Sequence, residues 1–338
     1  MWMLPVIRGI SFENDEEAEA YLVADNRLTE IGGWMPADLA AVLSDHVAMG
    51  EEHLRGTGFD TDDVDELLRQ LGEEGRGDKG QGQGGEQGEQ EGDASSLVEK
   101  WEVAKGKVWT IPSRKIGGRH HVLACASPDD EQTVTKLLTG KTIALIIADP
   151  DYSALSNPEA PEEMDNRLSE AFRCAHEMAA EDAAWYTWST TRYRQAMFEA
   201  LLGVGIEQHQ EIVWPRRTAA HDDGDYQEMH ETCFYGWRER HNYYAERNLT
   251  TVWRVEEEPE DMTFPGSKPV ELFRIPILSN TRIAETIYLP WATTGPGLSA
   301  AEYTTRIAIA IEPDLESLAM ALERLELIGL TPERADDS

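Results

Sequence analysis

The chain has 338 residues, with 30 Lys+Arg against 64 Asp+Glu and a formal net charge of −34. At about 100–200 residues per domain that length holds about two domains, and an apolar fraction of 41% is too high for a wholly disordered chain. The acidity excludes a histone-like protein held to DNA by charge alone, and adhesion to anionic membranes, while leaving room for a local basic cleft. It is uneven: residues 1–96 hold 23 acidic and 6 basic side chains, and the other 41 acids and 24 bases are spread over residues 97–338. Both a high-salt habitat and simple solubility account for it.

The cysteines Cys125, Cys174 and Cys233 are isolated, so neither a disulfide framework nor a zinc cluster is indicated. They suit a reducing cytoplasm as small buried apolar residues. The start, MWMLPVIRGISFENDEE, lacks the pattern of a signal peptide. The longest apolar run, Ile143–Ala148, is far short of a membrane span. A soluble, cytoplasmic protein is expected.

In residues 15–31, Ala18, Tyr21, Leu22, Leu28 and Ile31 fall at spacings near three and four, which predicts an amphipathic helix. Gly32-Gly33 ends it, and Asp38 precedes a second helix with Leu39, Val42 and Leu43. A third, opened by Asp60–Asp63, carries Val64, Leu67 and Leu68. Residues 1–72 thus read as a small helical unit. Residues 73–96, rich in Gly, Gln and Glu with no aromatic and no aliphatic side chain larger than Ala, read as a disordered linker.

From residue 97 the character changes. Lys100, Lys105, Lys107, Arg114, Lys115 and Arg119, with His120 and His121, form either a solvated segment with a hairpin at Gly117-Gly118 or a basic lip for a phosphate backbone. Thr142–Ala148 reads as a fully buried parallel strand ended by Asp149-Pro150. A helix over 163–182, a strand over 183–188, a helix over 191–203 and a strand over 206–214 ending at Trp214-Pro215 follow. Near the end come a strand at Ala284–Leu289, a helix over 298–304, a strand at Ile307–Ile311 and a helix at Leu315–Ile328. This alternation predicts a doubly wound α/β domain over 97–338, with 215–262 interrupting it as an insertion.

Ligands of open α/β sheets bind beyond the C-terminal ends of the strands. Three ends stand out: Asp149-Pro150-Asp151-Tyr152, the turn Leu289–Gly297, and Ile311-Glu312-Pro313-Asp314. A glycine-containing turn followed one strand later by an acid suits a nucleoside, whose ribose hydroxyls the acid accepts; the same turn also serves as an ordinary connection.

Together these residues resemble a family: DNA amino-methyltransferases of the permuted order, in which the catalytic tetrapeptide precedes the cofactor loop, preceded by the tail of a ParB-like domain. The ParB-like part is EAEAYLVADNRLTEIGGW (17–34) and TGFDTDDVDELL (57–68). The remainder is VWTIPSRKIGGRHHVLACAS (108–127), the tetrapeptide, GDYQEMHETCFYGW (224–237), TTVW (250–253), Lys268–Leu272, the Leu289–Gly297 loop and IAIEPD (309–314). The resemblance implies a Rossmann-like S-adenosylmethionine-dependent methyltransferase sheet with helices on both faces, acting on double-stranded DNA, with 215–262 reading the target. It implies no metal, and leaves a homodimer open.

A base inside a duplex must be flipped out before its exocyclic nitrogen is methylated. By resemblance, Asp149 accepts a hydrogen bond from the adenine N6 or cytosine N4 amino group, the Pro150 carbonyl takes the other N–H, and Tyr152 stacks on the base. Glu312 holds the cofactor ribose. Pro290, Trp291 and Gly295 form the loop on its methionine moiety, Lys268-Pro269 closes over it, and Ser127 lies in the segment that contacts it. Trp214, Arg216, Arg217, Tyr226, Trp237 and Arg238 lie where the family reads DNA; without the resemblance such aromatics, and His230-Glu231, read as packed or solvated.

Several positions depart from the pattern. Asp151 replaces a proline, losing a rigid φ and setting a second carboxylate near Asp149, which raises the pKa of one of them. Thr293 and Thr294 replace glycine and a small residue, Leu289 replaces an aspartate, and Ala126 stands where an aspartate contacts the cofactor. The ParB-like part lacks the segment that would precede residue 1, so no nuclease activity is expected. Two readings follow: an S-adenosylmethionine-dependent DNA methyltransferase with an impaired site, or a non-catalytic DNA-binding or interaction module. A metal site made of Asp149 and Asp151 has only that acidic pair behind it.

Overall fold

The computed structural model describes residues 94–155, 161–220, 225–255, 261, 263–264 and 267–335, together with Leu43, Val47, Leu54, Phe59, Thr61, Val64 and Asp65. The chain divides into two units, 1–80 and 81–338, with the boundary inside the stretch expected to be a linker. In the first unit Leu43, Val47 and Val64 are helical and buried, while the helix expected over 15–31 lies outside the described residues. Leu54 and the helical Asp65 are buried there as well.

In the second unit, α1 (Ala94–Lys100) begins within the expected linker, because Leu97 and Val98, just beyond its apolar-free run, pack against the core. Strands β1 (Val108–Pro112) and β2 (His120–Ala124) form the antiparallel hairpin, with Thr110 opposite Val122. After α2 (Glu131–Leu138), capped by Asp130, comes β3 (Ile143–Ala148), buried at every position. Next are α3 (Tyr152–Leu155), α4 (Pro161–Met178), β4 (Ala179–Ser189) and α5 (Arg194–Gly203). β5 (Glu207–Ala220) and β6 (Glu228–Trp237) follow, then α6 (Glu271–Asn280), β7 (Thr286–Leu289) and α7 (Pro296–Tyr303). β8 (Ile307–Ile311), α8 (Leu315–Leu327) and the two-residue β9 (Glu333–Arg334) complete the unit.

The strands make one nine-stranded sheet in the order β5-β6-β4-β3-β7-β8-β2-β1-β9. Its centre, β4-β3-β7-β8-β2, is parallel. The margins are antiparallel. Alternate residues of each central strand face two separate cores. Leu145, Ile147, Ile287, Leu289, Ala308 and Ala310 join α6, α7 and α8 on one face. Ile146, Ala148, Tyr288, Ile309 and Ile311 join α2, α4 and α5 on the other. Each fully buried Leu or Ile contributes about 1.5–3 kcal/mol of transfer free energy, which is why a run such as IALIIA is stable only between two helical layers.

Three sequence expectations need correction. Residues 215–262 are not simply an insertion: β5 runs on through Pro215, and β6 pairs with both β5 and β4. Pro215 is tolerated because β5 is an edge strand, where a missing ladder N–H costs least. The helix expected over 163–182 ends at Met178, since Ala179 pairs with Ile143 of β3 and sheet pairing overrides the helix propensity of the Ala-Ala-Glu stretch. β7 starts at Thr286, after Ala284 adopts a left-handed φ of 65°.

The described cysteines are buried and unbridged, as expected. No helix among the described residues is long and apolar enough to cross a membrane. The basic run at 100–121 stays largely at the surface, although three of its members are engaged by neighbouring parts of the protein. Lys100 pairs with Glu323 and Glu326, Arg119 donates to the Ala284 carbonyl and Thr286 Oγ1, and His121 is buried on Glu302 at 2.9 Å. His121 Nδ1 accepts from Ala308 N, so Nε2 is the ring donor to that carboxylate.

Candidate functional site

β3 is flanked by β4, its successor in sequence, and by β7, which the chain reaches only after crossing to the other side. That reversal opens a crevice above the carboxyl ends of β3 and β7, where doubly wound sheets bind ligands. A cavity of about 540 Å³ lies there, within the usual size of a small-molecule site. Asp149 and Pro150 from the end of β3, Trp291 and Thr293 from the end of β7, and Glu312 from the end of β8 all line it.

Asp149 is buried where β3 ends, and Lys268 Nζ donates to its Oδ1 at 2.7 Å. The same ammonium lies 2.9 Å from Glu231 Oε2 on β6 and 5.5 Å from the centre of the Trp188 ring. Burial pushes the Asp149 carboxyl above its ordinary range; Lys268 opposes this, Glu231 adds to it, and Asp151 makes the smallest contribution. The expected rise thus has burial, rather than the neighbouring Asp151, as its main cause. Burial disfavours the Lys268 cation too, but Asp149 and Glu231 outweigh it and keep the ammonium protonated.

Glu312 sits 2.7 Å from Thr293 N through Oε2 and 2.9 Å from Asp314 N through Oε1. Burial raises its carboxyl to about 8 against those two N–H donors. Thr293 holds a left-handed φ of 49°, a strained conformation for a β-branched residue, and its Oγ1 is buried with no hydrogen-bond partner. The loop is stapled from behind. Buried Arg324 on α8 donates to the Thr294 carbonyl at 2.9 Å and to Ser267 Oγ at 3.0 Å, and faces Asp261 at 3.5 Å. Thr294 Oγ1 also donates to Ser267 Oγ at 2.7 Å, tying the loop to the segment that carries Lys268.

Of the residues singled out from sequence, Asp149, Pro150, Lys268, Trp291 and Glu312 meet in this cavity; Tyr152, Pro290, Pro269, Gly295 and Ser127 do not line it. Tyr152 stacks on Tyr193 with ring centres 5.1 Å apart and donates its hydroxyl to the Trp188 carbonyl. The Pro150 carbonyl accepts from Tyr152 N at 3.0 Å. Pro290 and Pro269 are buried. Ser127 donates to Asp129 and is reached by Arg167 Nη2 at 3.3 Å, so it stands one residue behind the cavity wall. Gly295 was read as giving backbone access to a ligand. With φ 85°, it packs against α8: a Cβ there would lie 3.0 Å from Ala321 Cβ and 3.1 Å from Ala321 Cα. Leu289, the replacement for an acid, packs under Gly297, whose added Cβ would meet Leu289 Cδ1 at 2.8 Å.

Among the residues expected to read DNA, Arg216 lies with its guanidinium 5.9 Å from the centre of the Trp214 ring. Arg216 Nη1 faces Glu231 Oε1 at 3.4 Å, and Trp214 is buried. Trp237 is sandwiched between the imidazoles of His209 and His241, each 3.6 Å away, so both faces are already covered. Arg238 lies by a small surface hollow with Glu181 and Arg240, while Tyr226 is 92% exposed. The side chain of Arg217 lies outside the described residues.

Sequence reasoning missed Arg167 and Ser267 as lining residues, and named Asp314 only as part of a strand end. Asp314 had a signal: Asp-x-x-Ser is a helix start, and its side chain accepts from Ser317 N at 2.7 Å. Arg167 had none, since its partner Asp129 is brought to 3.1 Å only by the fold. Glu231 was noticed without a role. Among the described residues no group of three or more His, Cys, Asp or Glu is placed to hold a metal.

No family model and no curated relative matches the sequence. Among solved structures, the cytosine-N4-specific PvuII DNA methyltransferase is similar over 60% of this chain and 85% of that chain, at 11% identity and a TM-score of 0.50. The M1.HpyAVI–SAM complex matches 58% of this chain and 96% of that chain, at 16% identity and a TM-score of 0.46. At such identities the likeness is one of fold: a mixed α/β unit with the large central sheet of DNA methyltransferases.

Proposed function

We propose that the protein is an S-adenosylmethionine-dependent DNA methyltransferase, acting on the exocyclic amino group of a flipped adenine or cytosine. The observation that carries this reading is the meeting of Asp149, Trp291 and Glu312 in one cavity at the switch point of the sheet. The residues fit the cofactor at its ribose end. Glu312 is a buried carboxyl that lines the cavity with each oxygen held by a backbone N–H, and its remaining lone pairs can accept from a diol. Trp291 offers an apolar wall and Asp314 a further acceptor. At the loop the Thr293 and Thr294 side chains crowd the place where backbone would approach, which weakens binding there.

S-adenosylmethionine, when bound, supplies an electrophilic methyl group. The chain's own residues do the rest. Asp149 accepts a hydrogen bond from the target amino group and keeps the nitrogen lone pair out of conjugation, and Lys268 holds the Asp149 carboxyl in place at Oδ1. The Pro150 carbonyl, already bonded to Tyr152 N, offers its second lone pair to the other N–H. Tyr152, fixed by Tyr193 and by the Trp188 carbonyl, supports from behind the turn that carries Asp149 and Pro150. We assign duplex recognition to Arg216, Arg217, Tyr226 and Arg238; the covered faces of Trp237 make it a support for the hairpin. In the same proposal the tetrapeptide-first order places the chain in the permuted class, and residues 1–72 are a ParB-like remnant.

The second reading, a non-catalytic DNA-binding module, is favoured by the left-handed Thr293 at the cofactor loop. The deciding experiment is transfer of radiolabelled methyl from S-adenosylmethionine to unmethylated duplex DNA, followed by digestion to nucleosides. Label in N6-methyladenine or N4-methylcytosine, lost in Asp149→Ala, supports the enzyme. DNA binding without any transfer supports the module.

A further inference from the structure

Lys268 does not serve Asp149 alone: its ammonium is shared with Glu231 Oε2 at 2.9 Å, nearly as close as Asp149 Oδ1 at 2.7 Å. Glu231 comes from β6, opposite Trp214 of the edge strand, and its other oxygen faces Arg216 Nη1 at 3.4 Å. Four side chains from four parts of the fold therefore alternate in charge from a half-buried arginine to the carboxylate at the end of β3. Glu231 and Lys268 are both mostly buried, at 16% and 13% side-chain exposure, so their interaction is weakly screened. Without Glu231 the full ammonium would bear on Asp149. Without Lys268 two carboxylates would face each other in a buried wall, which disfavours ionising both.

We propose that Glu231 is a positioning residue, which by sharing the Lys268 ammonium with Asp149 fixes the orientation and charge state of the carboxylate that receives the target amino group. The inference rests on the methyltransferase reading for its chemistry but not for its geometry. The groups facing Asp149 are Asp151 and Tyr152 from its own turn, Lys268 from the segment before α6, and Glu231 and Cys233 from β6. Trp188 of β4 covers the ammonium, and Arg216 of β5 backs Glu231. Among these, Glu231 and Lys268 act on Asp149 in opposite senses, as the burial-dominated rise of its carboxyl reflects. A group whose removal moves Asp149 one way therefore has a partner whose removal moves it the other way, and loss of packing does not produce that pattern.

The test is a carboxyl-carbon NMR titration of the full chain labelled with ¹³C-aspartate, Asp149 being assigned by its loss in Asp149→Asn. In Glu231→Gln, nearly the same shape without the charge, the Asp149 midpoint is expected to fall by about one pH unit or more; in Lys268→Met it is expected to rise by as much. The acid limb of the methyl-transfer rate should move with the midpoint in each variant. Circular dichroism verifies the fold, and if Lys268→Met does not fold, the downward movement in Glu231→Gln decides alone. An unmoved Asp149 midpoint in Glu231→Gln, or movement in the same direction in both variants, overturns the proposal. Opposite movements without any methyl transfer uphold the arrangement around Asp149 and overturn the methyltransferase reading instead.

Discussion

Replacing Gly295 with alanine separates two explanations for the turn before α7. The residue holds φ 85°, where an L side chain costs about 1–2 kcal/mol. Its new Cβ would lie 3.0 Å from Ala321 Cβ and 3.1 Å from Ala321 Cα, atoms with no rotamer by which to withdraw, so overpacking adds about 1–3 kcal/mol. Gly295→Ala should therefore destabilise the protein by about 2–5 kcal/mol. Urea unfolding followed by tryptophan fluorescence measures it, using the 10 tryptophans of the chain. Ala321→Gly alone should cost about 1 kcal/mol of helix propensity, yet in combination with Gly295→Ala it should recover the Cβ–Cβ part, giving a coupling of about 1–2 kcal/mol. A loss in Gly295→Ala below about 0.5 kcal/mol, or strict additivity in the double variant, refutes the packing explanation. Unchanged stability with weakened S-adenosylmethionine binding would return Gly295 to the ligand.

Other expectations bear on the same wall. Thr293→Gly removes a left-handed β-branched residue and a buried unpartnered hydroxyl, so it should stabilise the fold by about 1 kcal/mol in the same urea assay and tighten S-adenosylmethionine binding. Glu312 carries a carboxyl raised to about 8 in the folded protein, so between roughly pH 4.5 and 8 the native state binds more protons than the unfolded one. Stability should then fall as pH rises through that window, by at most about 1.4 kcal/mol per pH unit, and Glu312→Gln should flatten the slope in denaturation series at successive pH values. Arg324→Met removes the buried cation that faces Asp261, whose carboxylate keeps its hydrogen bond from Val270 N, and should cost about 3–5 kcal/mol, part of which Asp261→Asn restores. By contrast Arg173→Ala should cost less than about 1 kcal/mol despite three carboxylate partners, because the cluster is solvent-facing.

The parallel centre of the sheet was legible because a run such as IALIIA has one stable setting, a strand covered on both faces. The ends of β3, β7 and β8 were legible for the same reason: each apolar run stops at a polar or proline-containing turn, and the switch point brings the three turns together. The β5–β6 hairpin was not. Pro215 argues locally against a strand, and only its edge position in the assembled sheet removes the objection. The packing of Gly295 on α8 was not legible, because sequence cannot tell a glycine that admits a ligand from one that admits the neighbouring helix. Trp237 has the residue type of a DNA-reading side chain, but His209 and His241 come to its two faces from 28 positions before and four after. The Asp149–Lys268–Glu231 arrangement depends on side chains 119 and 37 positions apart along the chain, and no local spacing encodes it.

The most direct measurement is calorimetric titration of S-adenosylmethionine into the full chain, alongside Glu312→Ala. One molecule bound per chain, with affinity at least about tenfold weaker in Glu312→Ala, is expected, tenfold being about 1.4 kcal/mol for the lost ribose contact. Absence of binding heat in the wild-type chain at millimolar cofactor, with the fold intact, would contradict the assignment of the cavity and leave a methyltransferase fold without its chemistry.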